Sequence, residues 1–419
     1  MDSVAHTQAS TTKRRPHFGG LFRGDTVIWV VFVLLSAISL LAVYSSIGLE
    51  AYTHFTSKTP TTLFLRHFVI VLLSYVVVIV FSHTDYRYFS RFSVLFYWLS
   101  LALLALMLAL HGRWLRVPII GQFQPSEIAK VALIVFIARL MALKKDSIRD
   151  LGTFFMLLVY VVLVAALVFP ENFSTAALIF LSVFLMMLFG GVNKTYWWRM
   201  FIIGIAAVGI FLAVSYNRYE RSLNSQGDNP TIETTLQRQS TWGHRLYSFV
   251  NPDYAELSQA NMAKMAIARG GLMGAGVGQT IHARLMTQAH NDFIFAIIIE
   301  ECGLFAGMGV FILYCILYFR CIMLFMRCKG RFGALVAVGL GTMIFLQALV
   351  NMCVAVGVLP VTGQTLPFIS YGGTSYLLLA LSLGIIQSVA ADVKRQKYQE
   401  QKEATPVANT PETEPANNE

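Results

Sequence analysis

The chain has 419 residues, of which 56% are hydrophobic and 13% charged. A soluble domain carries about 25% charged residues, so composition excludes an ordinary soluble globular protein and defines a polytopic α-helical membrane protein. The formal net charge of +10 does not point to nucleic acid, because the excess lies in short loops, where it sets membrane orientation.

Residues 1–25 form a polar, basic tail with no small-residue cleavage site behind a short apolar run, so no cleaved signal peptide is expected. About ten apolar runs follow, near 26–48, 63–82, 92–110, 126–143, 151–169, 173–190, 196–216, 291–321, 333–357 and 372–391, each suited to crossing a bilayer as a helix. Pro170 and Pro360 close spans, because proline cannot continue a helix. Asp85, Asn193 and Gly330 mark turns, and Pro125 suits a first helical turn, where its missing N–H costs nothing. With the N-terminus in the cytoplasm, the cytoplasmic tails and loops hold most of the basic residues, among them Arg14, Arg23, Arg87, Lys144, Lys145, Arg149, Lys329 and Arg331. The opposite short loops hold only Lys58, Arg66, Arg113 and Arg116. This asymmetry puts both termini in the cytoplasm. The polar segment 217–290 is then an extracytoplasmic loop between spans seven and eight. Residues 392–419, rich in Pro, Glu, Thr and Asn towards their end, are expected to be a disordered cytoplasmic tail. The domain plan is thus a tail over 1–25, a membrane domain over 26–391 and a tail over 392–419. The cysteines Cys302, Cys315, Cys321, Cys328 and Cys353 fall in or beside apolar helices without metal-ligand spacing and read as packing residues.

Several charged residues are not explained by insertion. Glu127 and Lys130, three positions apart in QPSEIAK, share a helix face and can pair. Two readings stay open: a structural ion pair, or a direct place in a site. Arg113, Trp114 and Arg116 precede them in an outer loop, suited to headgroup anchoring or to an anionic ligand. The loop 217–290 carries an apolar pattern at Met262, Met265, Ala266 and Ile267, then the run GGLMGAGVG. A partly helical re-entrant or interfacial piece is expected there, with glycines allowing close backbone approach. The glycines are not a dinucleotide fingerprint, because no strand–turn–helix surrounds them. In QAHNDFIFAIIIEE, Asp292 stands where polar chain meets apolar helix, and Glu300 and Glu301 follow inside that helix. The bland reading of Asp292 is an acid in a first helical turn, favoured by the dipole. The functional one is a carboxylate at the mouth of a membrane-embedded cavity. Glu300 lies about 12 Å deeper, too far to share a proton but able to line the same cavity. His290 is an alternative base or an interfacial histidine. The last loop, LPVTGQTLPFISYGGTS over 359–375, has no Lys or Arg and reads as a rigid cap over the site.

Assembled in order, these blocks resemble the SEDS family (shape, elongation, division and sporulation) of bacterial peptidoglycan glycosyltransferases. The resemblance covers about residues 26–391 and rests on GRWLRVPIIGQFQPSEIAK, RLYSFVNPD with SQANMAKMAIARGGLMGAGVG, HNDFIFAIIIEECG, and LPVTGQTLPFISYGG. It implies an all-α polytopic fold with about ten transmembrane helices. The family's essential acid, in its H-[TSN]-D-F block, falls on Asp292, and its arginine before tryptophan on Arg113. The acid and lysine of QPSE-x-x-K fall on Glu127 and Lys130, the paired acids on Glu300 and Glu301, and the long-loop arginine on Arg245. Two places depart from the pattern. The family's Pro–Asp–x–Gly–Thr turn reads Pro170-Glu171-Asn172-Phe173-Ser174-Thr175, so its acid is shifted or replaced; the Pro–Glu before Ala-His reads Thr287-Gln288. The GVG at 276–278 is closer to the division (FtsW-type) branch than to the elongation (RodA-type) branch.

The resemblance implies polymerisation of lipid II, the undecaprenyl-pyrophosphate-linked disaccharide peptide, into glycan strands at the division septum of the bacterial inner membrane. Asp292 is the expected catalytic residue. Arg113, Glu127, Lys130, Arg245, Glu300, Glu301 and His290 are the expected substrate-binding residues. A class B penicillin-binding transpeptidase and other divisome proteins are the implied partners. No cofactor is required; a divalent cation, Mg2+ or Mn2+, bound by carboxylates stays open. The alternatives are an elongation-type polymerase, a flippase for the lipid-linked precursor, and a non-catalytic scaffold. The motifs cluster on the outer side, which favours polymerisation.

Overall fold

The computed structural model describes residues 20–53, 60–110, 115–117, 121–224, 233–251, 259–281 and 289–403. Arg113, His282, Thr287, Gln288 and the tail segments 1–19 and 404–419 lie outside the described residues. Among the described residues, eight helices are long and apolar enough to cross a membrane. They are α1 (Thr26–Thr53), α2 (Pro60–His83), α3 (Tyr86–Ala109), α5 (Leu151–Val168), α7 (Lys194–Asn224), α11 (Ile294–Arg327), α12 (Arg331–Ala355) and α13 (Thr374–Glu403). Two more helices complete the expected spans: α4 (Pro125–Leu143), with Glu127, Lys130 and Arg139, and the shorter α6 (Phe173–Phe189).

The punctuation seen in the sequence acts locally. Asp85 caps α3 by accepting from the Arg87 N–H at 2.9 Å. Asn172 caps α6 through the Thr175 N–H at 3.2 Å, Asn193 accepts from the Thr195 N–H at 3.0 Å, and Pro125 opens α4. Some boundaries differ from expectation. The helix α7 runs past 216 to Asn224, and α13 continues beyond 391 to Glu403. Polar residues there still have good helix propensity, and a helix already nucleated by a buried face extends at little cost. In the loop before α4, strands β1 (Leu115–Val117) and β2 (Gly121–Phe123) pair antiparallel, with Arg116 opposite Gln122.

The bundle packs α11 antiparallel to α12, α3 antiparallel to α4 and α1 against α11, while α2 runs parallel to α13, with His67 against Tyr376 at one end and Ser388 bonded to the Thr84 carbonyl at the other. Aromatic side chains join the layers. Tyr97 of α3 stacks on Phe136 of α4 at 4.3 Å and donates from its hydroxyl to the Tyr160 carbonyl of α5. At the opposite end from Asp292, Asp25 pairs with Arg320 of α11, and its backbone exchanges hydrogen bonds with the Gln387 amide of α13. This ties the entry of α1 to two later helices.

The described residues between α7 and α11 are largely helical, as expected of a partly helical piece. The helix α8 (Glu233–Val250) packs along α7, with Tyr247 against Tyr216 and Tyr219. The helix α9 (Gln259–Gly270) lies on α11, burying Met262, Ala263 and Ala266, while Met265 faces outward. The short α10 (Ala289–Asp292) ends just before α11.

Candidate active site

The acid of α10 does not stand in the first turn of α11. Phe293 caps α11, its first turn holds no acid, and Asp292 sits at the break between the two helices. The dipole reading therefore gives way to a different environment. Asn351 of α12 donates to the Asp292 carbonyl at 2.8 Å and to the Gln364 carbonyl at 2.7 Å. Ser370 donates to the Asn291 carbonyl at 2.6 Å. The break is thus held between α12 and the last loop. Asp292 keeps some contact with solvent but is surrounded by protein, and burial pushes its carboxyl up to about 6; the positive charge of Arg245 pulls it partly back.

Arg245 comes from α8. Its guanidinium donates to the Val361 carbonyl at 3.1 Å and lies 5.5 Å from the centre of the Trp242 ring. Trp242 in turn packs edge-on against Phe173 of α6 at 4.9 Å. Both charged groups approach Gly363: a Cβ there would lie 3.8 Å from Asp292 Oδ2 and 4.0 Å from both Arg245 terminal nitrogens. With φ +70, Gly363 turns the loop beside them in a conformation that favours glycine.

Glu127 and Lys130 form the expected pair at 2.8 Å. Lys130 is 1% exposed and also donates to Gln347 Oε1 at 3.0 Å. The Gln347 amide nitrogen then donates to the Thr365 carbonyl at 3.1 Å. Gln347 and Asn351, one turn apart on α12, carry the last loop on two side-chain amides. A third amide, Gln364, donates to Thr175 Oγ1 at 2.8 Å at the start of α6. One turn earlier Glu171, in the variant turn, is buried at 4% exposure.

The remaining acids face elsewhere. Glu300, 0% exposed, pairs with Arg269 of α9 at 2.9 Å and accepts from the Ile281 N–H at 3.2 Å. Glu301 accepts from the Gly278 N–H at 3.1 Å and from the Ser45 hydroxyl of α1. Their backbone carbonyls take the N–H groups of Ala275 and Gly276, at 2.8 and 3.0 Å. The paired acids thus fasten the glycine run to α11, and the partners seen for them are not those that hold Asp292. His290 lies in α10 beside Asp292.

The last loop carries no catalytic-type group but is held from all sides, as a cap should be. Ser39 of α1 donates to the Ile369 carbonyl at 2.8 Å and lies 2.9 Å from His67 Nε2 of α2. Tyr314 of α11 donates to the Pro367 carbonyl. Phe368, with φ +61, keeps a left-handed backbone unusual for a non-glycine because Phe32 and Tyr376 pack around its ring. Among the described residues no three His, Cys, Asp or Glu side chains gather as metal ligands. No local pattern singles out Gln347 or Asn351, because the groups they hold are distant in the chain.

Fold and site define a class: a polytopic membrane protein with a buried acid and a facing arginine, capped by its last loop. Residues 25–395 match the family described as "Cell cycle protein", that of FtsW, RodA and SpoVE. The chain belongs to this SEDS family. Among curated relatives, the probable peptidoglycan glycosyltransferase FtsW of Halomonas elongata is 30% identical, covering 88% of this chain and 92% of that protein. The protein of the same name from Trichlorobacter lovleyi is 28% identical, over 88% and 94% of the two chains. Two solved structures share the fold. One is a chain of a peptidoglycan synthase complex that coordinates polymerization and crosslinking, with TM-score 0.66, 23% identity, and 88% and 98% coverage of the two chains. The other is the rod shape determining protein RodA of Thermus thermophilus, with TM-score 0.60, 21% identity, and 88% and 97% coverage.

Proposed function

We propose that this chain is a peptidoglycan glycosyltransferase that polymerises lipid II during septal wall synthesis in cell division. The observation that carries the mechanism is the approach of both Asp292 and Arg245 to Gly363, with Arg245 acting electrostatically on Asp292. A carboxyl raised to about 6 is ionised at neutral pH yet basic enough to take a proton in a transition state. Asp292 removes the proton of the acceptor sugar hydroxyl as its oxygen attacks the anomeric carbon of the donor. The anomeric C–O bond breaks, undecaprenyl pyrophosphate leaves, and the proton passes from Asp292 to water. Arg245 neutralises charge developing on the pyrophosphate, with Arg113 as a second candidate. Lys130, already held by Glu127 and Gln347, positions the cap rather than the phosphates. A divalent cation enters this reading only as a companion of the substrate pyrophosphate, where one or two carboxylates suffice.

The positive-inside pattern supports a site on the outer face of the inner membrane, with both termini in the cytoplasm. A class B penicillin-binding transpeptidase is the partner this reading implies, with other divisome proteins beyond it. The test is glycan polymer formation from lipid II by purified protein, with and without that transpeptidase, for wild type and Asp292→Asn. Wild type should make polymer, and a folded, partner-binding Asp292→Asn should lose roughly 10²–10⁴-fold in rate. Undiminished polymer from the variant would sink the base assignment and move attention to His290 and the Glu300–Glu301 pair. No polymer from either protein would favour transport of the precursor or a scaffold role.

A further inference from the structure

At the end of the bundle opposite Asp292, the α4–α5 loop, the α6–α7 turn and the α11–α12 turn line an open cavity of about 640 Å³. Its rim carries four cations, Lys145, Arg149, Lys329 and Arg331, against one acid, Asp146. Two of the cations are engaged: Lys329 pairs with Glu400, and Arg331 donates to the Gly190 carbonyl at 2.8 Å. Lys145 and Arg149 are exposed and have no ion-pair partner among the described residues. The first turn of α12 opens into the same space. Gly330 gives it no side-chain cap, so its leading N–H groups add to the positive field. The inner wall is apolar, with Phe189, Phe325 and Leu335.

We propose that this cavity binds the phosphate of an anionic phospholipid headgroup, with Lys145 and Arg149 as its principal ligands. A phosphate group explains the cations, and a lipid source explains the rest. The cavity lies where three pairs of apolar helices meet at their ends, the level expected for a membrane interface. Phe189 and Phe325 offer acyl chains a surface that a soluble phosphate does not need. The cavity is distinct from the Asp292 site: it lies at the start of α12, whereas Asp292 is held by Asn351 near the end of that helix. Its occupant fastens three connections at once, including the start of the helix that carries Gln347 and Asn351.

Native mass spectrometry of the purified full chain, titrated with phosphatidylglycerol or phosphatidylcholine, tests this. Wild type should retain phosphatidylglycerol preferentially, and Lys145→Gln and Arg149→Gln should each cut that preference about fivefold. Asp146→Asn should raise it, a gain that a misfolded protein cannot mimic. Equal retention of the two lipids by wild type, or a preference unchanged in the double variant, would overturn the proposal. Displacement of phosphatidylglycerol by millimolar inorganic phosphate as readily as by excess lipid would assign the cavity to soluble phosphate and overturn the lipid source.

Discussion

Asp292 shows how a single residue takes its properties from its surroundings. Sequence offers a helix-dipole acid, which would be a weak base; the break before α11 and the burial around it make a carboxyl that titrates near 6. The base must be ionised, so polymerisation should fall as pH drops through about 6. Arg245 holds that value down, and its removal must raise it. Arg245→Gln should therefore shift the acid limb of the pH–rate profile to higher pH. It should also cut kcat about 10²–10³-fold through lost charge stabilisation. An unmoved limb would separate the two side chains. The Glu127–Lys130 pair makes a second test. Lys130→Met leaves a buried carboxylate without its partner and should cost about 3–5 kcal/mol in thermal unfolding of the detergent-solubilised protein. Glu127→Gln/Lys130→Met should regain most of that stability. Polymerisation should stay low in the double variant, because Gln347 loses the ammonium that orients it.

At the scale of elements, the glycine run and α11 form one unit. Gly303 interrupts α11 with φ 83 and ψ 174, a region that essentially only glycine occupies. A Cβ at Gly303 would meet the Leu272 carbonyl oxygen at 2.2 Å, and one at Gly274 the Glu301 carbonyl oxygen at the same distance. The kink frees backbone groups that the run 270–278 takes up, which is why the polar chain can lie against a membrane helix. Gly303→Ala should destabilise the protein by at least about 1–3 kcal/mol and lower the yield of folded material. Gly209→Ala in α7, where nothing lies within 4 Å, should be neutral or stabilising. A Gly303→Ala protein that melts with wild type would refute the kink as a required feature. Glycine spacing announces close approach; which backbone approaches is not encoded locally.

For the whole molecule, α7 lies at the edge of the helix bundle: none of its most apolar stretch is buried, and it meets α6 through rings, Trp197 and Phe201 on Phe184 and Phe211 on Phe173. The α8–α10 segment and the last loop gather at one end, and the basic cavity lies at the other. If the site end is extracytoplasmic, Glu220→Cys should react with a membrane-impermeant thiol reagent in intact spheroplasts, in a background lacking the five native cysteines. Asp150→Cys should react only after permeabilisation. The reverse pattern would invert the orientation.

Hydropathy, proline and capping residues determined the spans by themselves, because a membrane helix satisfies its own backbone and needs only length and apolarity to be recognised. Motif order likewise determined the family and pointed to Asp292, Arg245, Glu127 and Lys130. Tertiary structure decided what those residues meet. It brought Arg245 and Asp292 together at Gly363, turned Glu300 and Glu301 towards the glycine run, and suspended the last loop from Gln347 and Asn351. Charge, hydrogen bonding and burial act through space between residues far apart in the chain, and no local pattern records such contacts.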